Sequence, residues 1–393
     1  MLRTTFDACG PFTTEAKASA MQRFLIISGH DFRTPRWANM HFIARELARR
    51  GTTRFFSLGC SALSYLIGDP RLPILARANR VEDFQGVQCF LWKSAWHPVN
   101  LDFAILGGIS RLLFTAYRRE VPDIFRRWIK ESDVIILESG MSPIFLELIQ
   151  SLNPRARKIY IASDLLGTIG VDPFVSDELQ RNIDLFDTVI LPSRRMAPVF
   201  PQRAKLRFVP HGLEVDATEI AASPYAGGTH AISVGSMLFD RSLFDLAAPL
   251  FPQVTFHVIG GGREADKLAY ANVKTYGEMP YAQTLAYIKY ADFGVAPYLA
   301  KSTQDYLCDT SMKLMQYASF GIPAVCPRVA VGDHPGRFGY NPGDQVSIGR
   351  AIGGALVAGK GKPPPILSWS DVIDRILEPQ DYADTGIALA LAG

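Results

Sequence analysis

The chain has 393 residues, 48% of them hydrophobic and 20% charged, with five cysteines and a net charge of +3. That length exceeds one ordinary core and predicts two domains, and the composition excludes disordered and fibrous classes. The charge is uneven: residues 1–207 carry 28 Lys and Arg against 20 Asp and Glu, and 208–393 carry 13 against 18. A basic first half can face nucleic acid, anionic lipid or a phosphorylated substrate, or be only a solvated surface.

Residues 1–20 lack the charged-then-apolar order of a signal peptide and are expected to form a poorly ordered leader. Short apolar runs then alternate with segments of helical period, the pattern of parallel sheets covered by helices, so the fold class is α/β. In the first half the runs are FLIISG (24–29), TTRFFSLG (52–59), DVIILES (133–139), KIYIASD (158–164) and DTVILPS (187–193). The series restarts with LRFVPHG (206–212), HAISVGS (230–236), VTFHVIGGG (254–262), VKTYGE (273–278), DFGVAPY (292–298) and IPAVCP (322–327). The reading is a first domain over 21–205, a second over 206–364 and a helical tail over 365–393 that returns to the first domain. In the tail, SWSDVIDRIL (368–377) reads as a helix capped by Ser368 or Ser370.

Cys9, Cys60, Cys89, Cys308 and Cys326 are odd in number and scattered, which predicts reduced, mostly buried thiols. No stretch reaches about 18 apolar residues without a charge, so a spanning helix is not expected. Between Trp96 and Glu120, Leu101, Ile105, Ile109, Leu112 and Leu113 recur at roughly helical spacing. Arg111, Arg118 and Arg119 lie on the same segment, and Arg126 and Arg127 follow. That pattern suits a helix lying in a membrane interface, or a buried helix with a basic outer face.

In parallel α/β sheets ligands sit beyond the carboxyl ends of the strands, where this chain places GHDFRTP, ESG, SDLLG, GSMLFDR and GGGRE. Gly29, Gly260, Gly261 and Gly262 allow close backbone approach to a phosphate or ribose, or serve as tight turns. The dinucleotide pattern G-x-G-x-x-G is absent from residues 24–34, which weighs against a dehydrogenase. From Ser311 to Cys326, SMKLMQYASFGIPAVC reads as a helix ending at Gly321 before a Pro-led strand. Lys313 in its first turn opposes the helix dipole unless an anion binds there. The helix end and Lys313 together can hold a diphosphate leaving group.

These residues resemble the GT-B glycosyltransferases, whose donor half shows a set of short motifs in fixed order. Here they are ISVGS (232–236), VIGGG (258–262), VKTYG (273–277), ADFGVAP (291–297) and KLMQYASFGIP (313–323), preceded by VPHGLEVD (209–216). The resemblance covers about residues 205–330 and implies two Rossmann-like domains facing each other across a cleft. It implies that Tyr276, Gly277 and Glu278 border the base and ribose. Gly235, Met237, Gly261, Tyr298, Met312, Lys313 and Gln316 would line the rest of a nucleotide-sugar pocket; for Met237 and Met312, core packing is the alternative.

Retaining members of the fold carry two glutamates eight residues apart around the last helix. This chain has Ser311 and Ser319 there, which favours inversion. No D-x-D triplet occurs, so no metal and no other cofactor is expected, and Lys313 with the helix end takes the cation's part. An inverting transfer needs a base for the acceptor hydroxyl. Asp164, at the end of its strand before a Leu-Leu-Gly loop, is the first candidate; His30, Asp31 and Glu138 are the alternatives.

Along its whole length the chain resembles the membrane-associated glucuronosyltransferases of xanthan-type exopolysaccharide assembly. That resemblance implies UDP-glucuronic acid as donor and the mannose of a polyprenyl-diphosphate-linked oligosaccharide as acceptor. It also implies peripheral association of the basic domain with the cytoplasmic face of the inner membrane. Arg241, Arg263 and Lys301 are all available to the sugar carboxylate. Other readings are a GT-B enzyme with another sugar donor or a soluble acceptor, and a two-lobed binding protein without catalysis. The arginines follow no nucleic-acid recognition motif, so no nucleic-acid partner is expected.

Overall fold

In the computed structural model, residues 21–35, 37–61, 64, 69, 71–96, 98, 107–213, 220–299 and 305–387 are described. The expectations for the leader, Cys9, Leu101, Ile105 and Lys301 fall outside them, as does the side chain of Ile109. The first series of apolar runs forms one sheet. Its strands are β1 (Gln22–Ser28), β2 (Gly51–Cys60), β3 (Glu82–Phe84), β4 (Val87–Lys93), β5 (Val134–Glu138), β6 (Arg157–Ile161), β7 (Thr188–Leu191) and β8 (Leu206–Phe208). Their order is β3-β4-β2-β1-β5-β6-β7-β8, parallel throughout except for β3 against β4. Phe24, Leu25, Ile26 and Ile27 are all fully buried, as a strand covered by helices on both faces requires.

A second, six-stranded sheet contains β9 (Thr229–Val234), β10 (Val254–Ile259), β11 (Val273–Tyr276), β12 (Phe293–Val295), β13 (Ala324–Pro327) and β14 (Arg337–Tyr340). Its order is β11-β10-β9-β12-β13-β14, all parallel. The chain is therefore an α/β protein with two doubly wound sheets. Strand order reverses at β1/β5 and at β9/β12, so both ligand-accepting crevices lie at the carboxyl ends of those strands.

Three strand readings change. Leu206–Phe208 pairs with β7 (Leu191↔Phe208) and closes the first sheet instead of opening the second. The β3–β4 hairpin went unread because its turn is Gln85-Gly86, both at positive φ (51° and 79°), where Asn-Gly or Asp-Gly is the usual signal. The short edge strand β14 was also unread.

The helix Met312–Ser319 forms with Ser311 as its N-cap, Oγ accepting from the Leu314 amide at 3.1 Å. It stops at Gly321, whose φ of +66° and position against the Gly361 carbonyl leave no room for a Cβ. Tyr317 lies flat on Gly294, and its hydroxyl donates to the carbonyls of Ile232 (3.0 Å) and Val295 (3.1 Å).

The helix Trp369–Leu377 is capped by Ser368 with Asp371 completing a capping box. Trp369 stacks on Phe42 of the helix Asn39–Ala48, rings parallel at 5.0 Å. Beside it the Leu213 amide donates to the Leu367 carbonyl at 3.0 Å. Cys60, Cys89, Cys308 and Cys326 are buried free thiols. Among the described residues no helix is long and apolar enough to cross a membrane. The helix Gly107–Arg119 buries Ser110, Phe114 and Tyr117, while Arg111 and Leu112 point outward.

Candidate active site

Adjacent strands β1, β5 and β6 deliver Ser28, Glu138 and the Ser163–Asp164 pair to one edge of the first sheet. Glu138 is almost wholly enclosed. Its carboxylate accepts from Ser28 Oγ and, at 3.1 Å, from Ser163 Oγ, which is itself held by Asn39 Nδ2 at 2.7 Å. Burial lifts the Glu138 carboxyl to about 7 against the pull of those two hydroxyls. The half-exposed His30 ring stands 3.8 Å from Glu138 Oε1.

Asp164 is less enclosed than Glu138. Its amide donates to Ser139 Oγ at 3.0 Å, which fixes the loop after β6. Burial first, and the neighbouring Glu138 charge second, raise its carboxyl to about 7. A carboxyl raised towards neutrality is suited to take a proton. Asp31 is not: its buried carboxylate is held by Arg33 at 2.7 and 2.8 Å and by Ser57 Oγ at 2.9 Å. Those partners keep it below the usual carboxylate range although burial opposes them. Of the four candidates, the structure brings Asp164, Glu138 and His30 together and locks Asp31 into a structural ion pair. A cavity of about 440 Å³ is lined by Gly29, next to His30 in the chain, and by Leu58, Gly59, Gly140, Met141 and Ile169 among others, but by none of these three side chains.

The second sheet presents its own set. Gly235 (φ +86°) and Gly260 (φ +61°) turn the chain at the ends of β9 and β10, and the exposed Glu278 lies against Gly260. A Cβ on Gly261 would meet Ala265 and Val258, so its bare backbone is packed tightly. Met237 is 45% exposed and adjoins Leu238, a non-glycine residue at φ +51°; strain of this kind collects at binding loops. Tyr298 is buried, its hydroxyl 2.5 Å from Ser311 Oγ, and Lys313 Nζ stands 5.1 Å over its ring. Met312 instead packs against the core cluster of the first sheet, and Gln316 bonds the Tyr281 hydroxyl.

The sequence reading missed the contacts that join the two sets. Tyr306, which caps the short helix Leu307–Thr310, places its hydroxyl 2.6 Å from Thr168 Oγ1 and 3.4 Å from Asp164 Oδ1. Ser193 Oγ donates to Asp309 at 2.7 Å, and Arg195 lies 3.4 Å from Asp333, 3.6 Å from Asp305 and 3.8 Å from Asp309. The only local hint was the clustering of Asp305 and Asp309 around a tyrosine. The described residues contain no group of three or more His, Cys, Asp or Glu side chains arranged to hold a metal ion.

The two-sheet chain has counterparts among known proteins. Residues 26–192 match the family described as "Glucuronosyltransferase GumK, N-terminal domain". The UDP-glucuronate:glycolipid 2-beta-glucuronosyltransferase of Xanthomonas campestris pv. campestris is 46% identical over 94% of this chain and 93% of its own length. Among solved structures, the UDP-forming trehalose-phosphate synthase of Burkholderia vietnamiensis has a TM-score of 0.59 at 13% identity, covering 91% of this chain and 95% of its own. The corresponding enzyme of Burkholderia xenovorans scores 0.57 at 13% identity with the same coverage. At such low identity these structures speak for the GT-B fold alone. The chain belongs to the GumK family of glucuronosyltransferases, built on the GT-B fold.

Proposed function

We propose that the protein transfers glucuronate from UDP-glucuronate to a hydroxyl of a glycolipid, with inversion and without a divalent metal. The observation that carries this reading is Asp164: a carboxyl raised to about 7, at the carboxyl edge of the first sheet, touched from the second lobe by Tyr306. The 46% identical relative named for these substrates supports the choice of donor and acceptor class.

In this mechanism the acceptor oxygen attacks the anomeric carbon from the face opposite UDP. The new C–O bond forms as the bond to the diphosphate oxygen breaks, and the acceptor proton passes to Asp164. Glu138 stays enclosed and keeps the Asp164 carboxyl basic. UDP departs with its charge held by the amino end of the helix Met312–Ser319 and by Lys313. Met237 and Glu278 border the nucleoside; Tyr298 supports Lys313 from below.

The finer acceptor is a polyprenyl-diphosphate-linked oligosaccharide ending in mannose, in exopolysaccharide assembly. The enzyme meets it peripherally at the cytoplasmic membrane surface through the outward Arg111–Leu112 face of the first lobe. UDP release from UDP-glucuronate and a mannose-terminated lipid acceptor, in the presence of a chelator, tests the whole reading. Turnover persists with chelator and falls about 100- to 1,000-fold in Lys313→Ala. Loss of turnover on chelation, or full activity in that variant, overturns the metal-free mechanism.

A further inference from the structure

The amino ends of β6, β7 and β8 lie on the side of the first sheet opposite the catalytic edge. A cavity of about 430 Å³ opens there, lined by residues 154–158, 187–188, Lys205, Arg207 and the tail residues Pro379 and Gln380. Its wall carries five cations, Arg155, Arg157, Lys158, Lys205 and Arg207, against one lining carboxylate, Asp187.

Two of the five have structural work. Lys158 is buried, donates to the carbonyls of Ala156 (2.6 Å) and Pro154 (3.3 Å), and stands 3.9 Å from Asp187. Both carbonyls lie in the loop between the helix Leu146–Leu152 and β6. Arg157 is 3.5 Å from Glu378 of the tail. Arg155, Lys205 and Arg207 have neither a hydrogen bond nor an ion pair to any described side chain. Clustered like charges around a concavity repel one another and raise the local concentration of anions. Nothing in the proposed transfer uses them, since donor and acceptor meet at the far end of the strands.

We propose that this cavity is a second anion site, which binds a phosphate group through Arg155, Lys205 and Arg207. Guanidinium groups suit such a ligand because they present paired donors to phosphate oxygens. The cavity is shared between the sheet and the tail that follows the helix Trp369–Leu377. An anion there adds to the attachment of that tail, which Arg157 makes with Glu378 and Arg194 makes with the carbonyls of Asp384 and Gly386.

The test uses the full-length protein with UDP at saturation, so that the catalytic cleft is already filled. Thermal unfolding is followed in sodium tripolyphosphate and in sodium chloride of equal ionic strength. Wild type gains about 4 °C in tripolyphosphate, and the Lys205→Ala/Arg207→Ala double variant gains nothing. Arg155→Ala, a change at an exposed position, gives an intermediate gain and serves if the double variant does not fold. In a second arm, the same proteins are sedimented with phosphatidylglycerol or phosphatidylcholine vesicles. Loss of phosphatidylglycerol binding in the variants assigns the site to a lipid headgroup; unchanged vesicle binding with a lost tripolyphosphate response assigns it to a free phosphate. If wild type and variants behave alike in both arms, the cavity is not an anion site.

Discussion

The hydroxyl of Tyr306, in the second lobe, reaches Oδ1 of Asp164, in the first, at 3.4 Å. Thr168 Oγ1 holds the same hydroxyl at 2.6 Å, so the tyrosine is fixed from the first lobe while touching the proposed base of that lobe. Its hydrogen bond favours the ionised carboxylate, opposing burial. Tyr306→Phe is therefore expected to lower kcat about 3- to 10-fold with little change in KM for the sugar nucleotide. The acidic limb of its pH–rate profile moves to higher pH. An unmoved limb with a fallen kcat would mean that the tyrosine is only packing.

Asp164 must be ionised to accept a proton, so kcat/KM rises with pH through about 7 in the wild type. Asp164→Asn removes that limb and about 100- to 10,000-fold of the activity. Stability moves the other way. A carboxyl raised on folding favours the native state fully below its unfolded value near 4, and that contribution is lost as pH rises through about 7. The asparagine variant is accordingly more stable than wild type at pH 8, and the gap narrows at pH 5. Thermal unfolding at the two pH values checks both signs.

His211 is enclosed near Trp369, and burial alone lowers its ring to about 4. Because the native state holds it neutral, protonation costs stability as pH falls from about 6.5 towards 4. Replacing it with Gln cancels that cost. The drop in melting temperature between pH 7 and pH 4.5 is expected to be smaller in His211→Gln than in wild type.

Gly294 is required by packing: a Cβ there would fall 2.2 Å from the Tyr317 ring. Gly294→Ala forces that ring off the strand and strains its two carbonyl contacts, a loss of about 1–3 kcal/mol. Denaturant unfolding measures it. UDP binding weakens as well, because Tyr317 belongs to the helix that presents Lys313.

The elements that could be read from sequence are those encoded within a few residues. Ten of the eleven apolar runs form strands of the sheet expected, and LRFVPHG forms one in the other sheet, because a buried parallel strand needs only a short continuous apolar run. Strand ends then brought Glu138 and Asp164 together without further information. Asp31 carries the same local signal as Asp164, an aspartate after a strand, and its contacts with Arg33 and Ser57 distinguish them. Tyr306 and Asp164 are 142 residues apart, and no periodicity encodes such a meeting. The Arg195 cluster with Asp305, Asp309 and Asp333 escapes sequence reading for the same reason.

The Leu213–Leu367 hydrogen bond ties together the two places where the chain passes between lobes. A single connecting strand would let the lobes swivel in any direction. Two crossings joined by a backbone hydrogen bond cannot swivel independently. Any change in the angle between the lobes has to move both crossings together, because this hydrogen bond couples them.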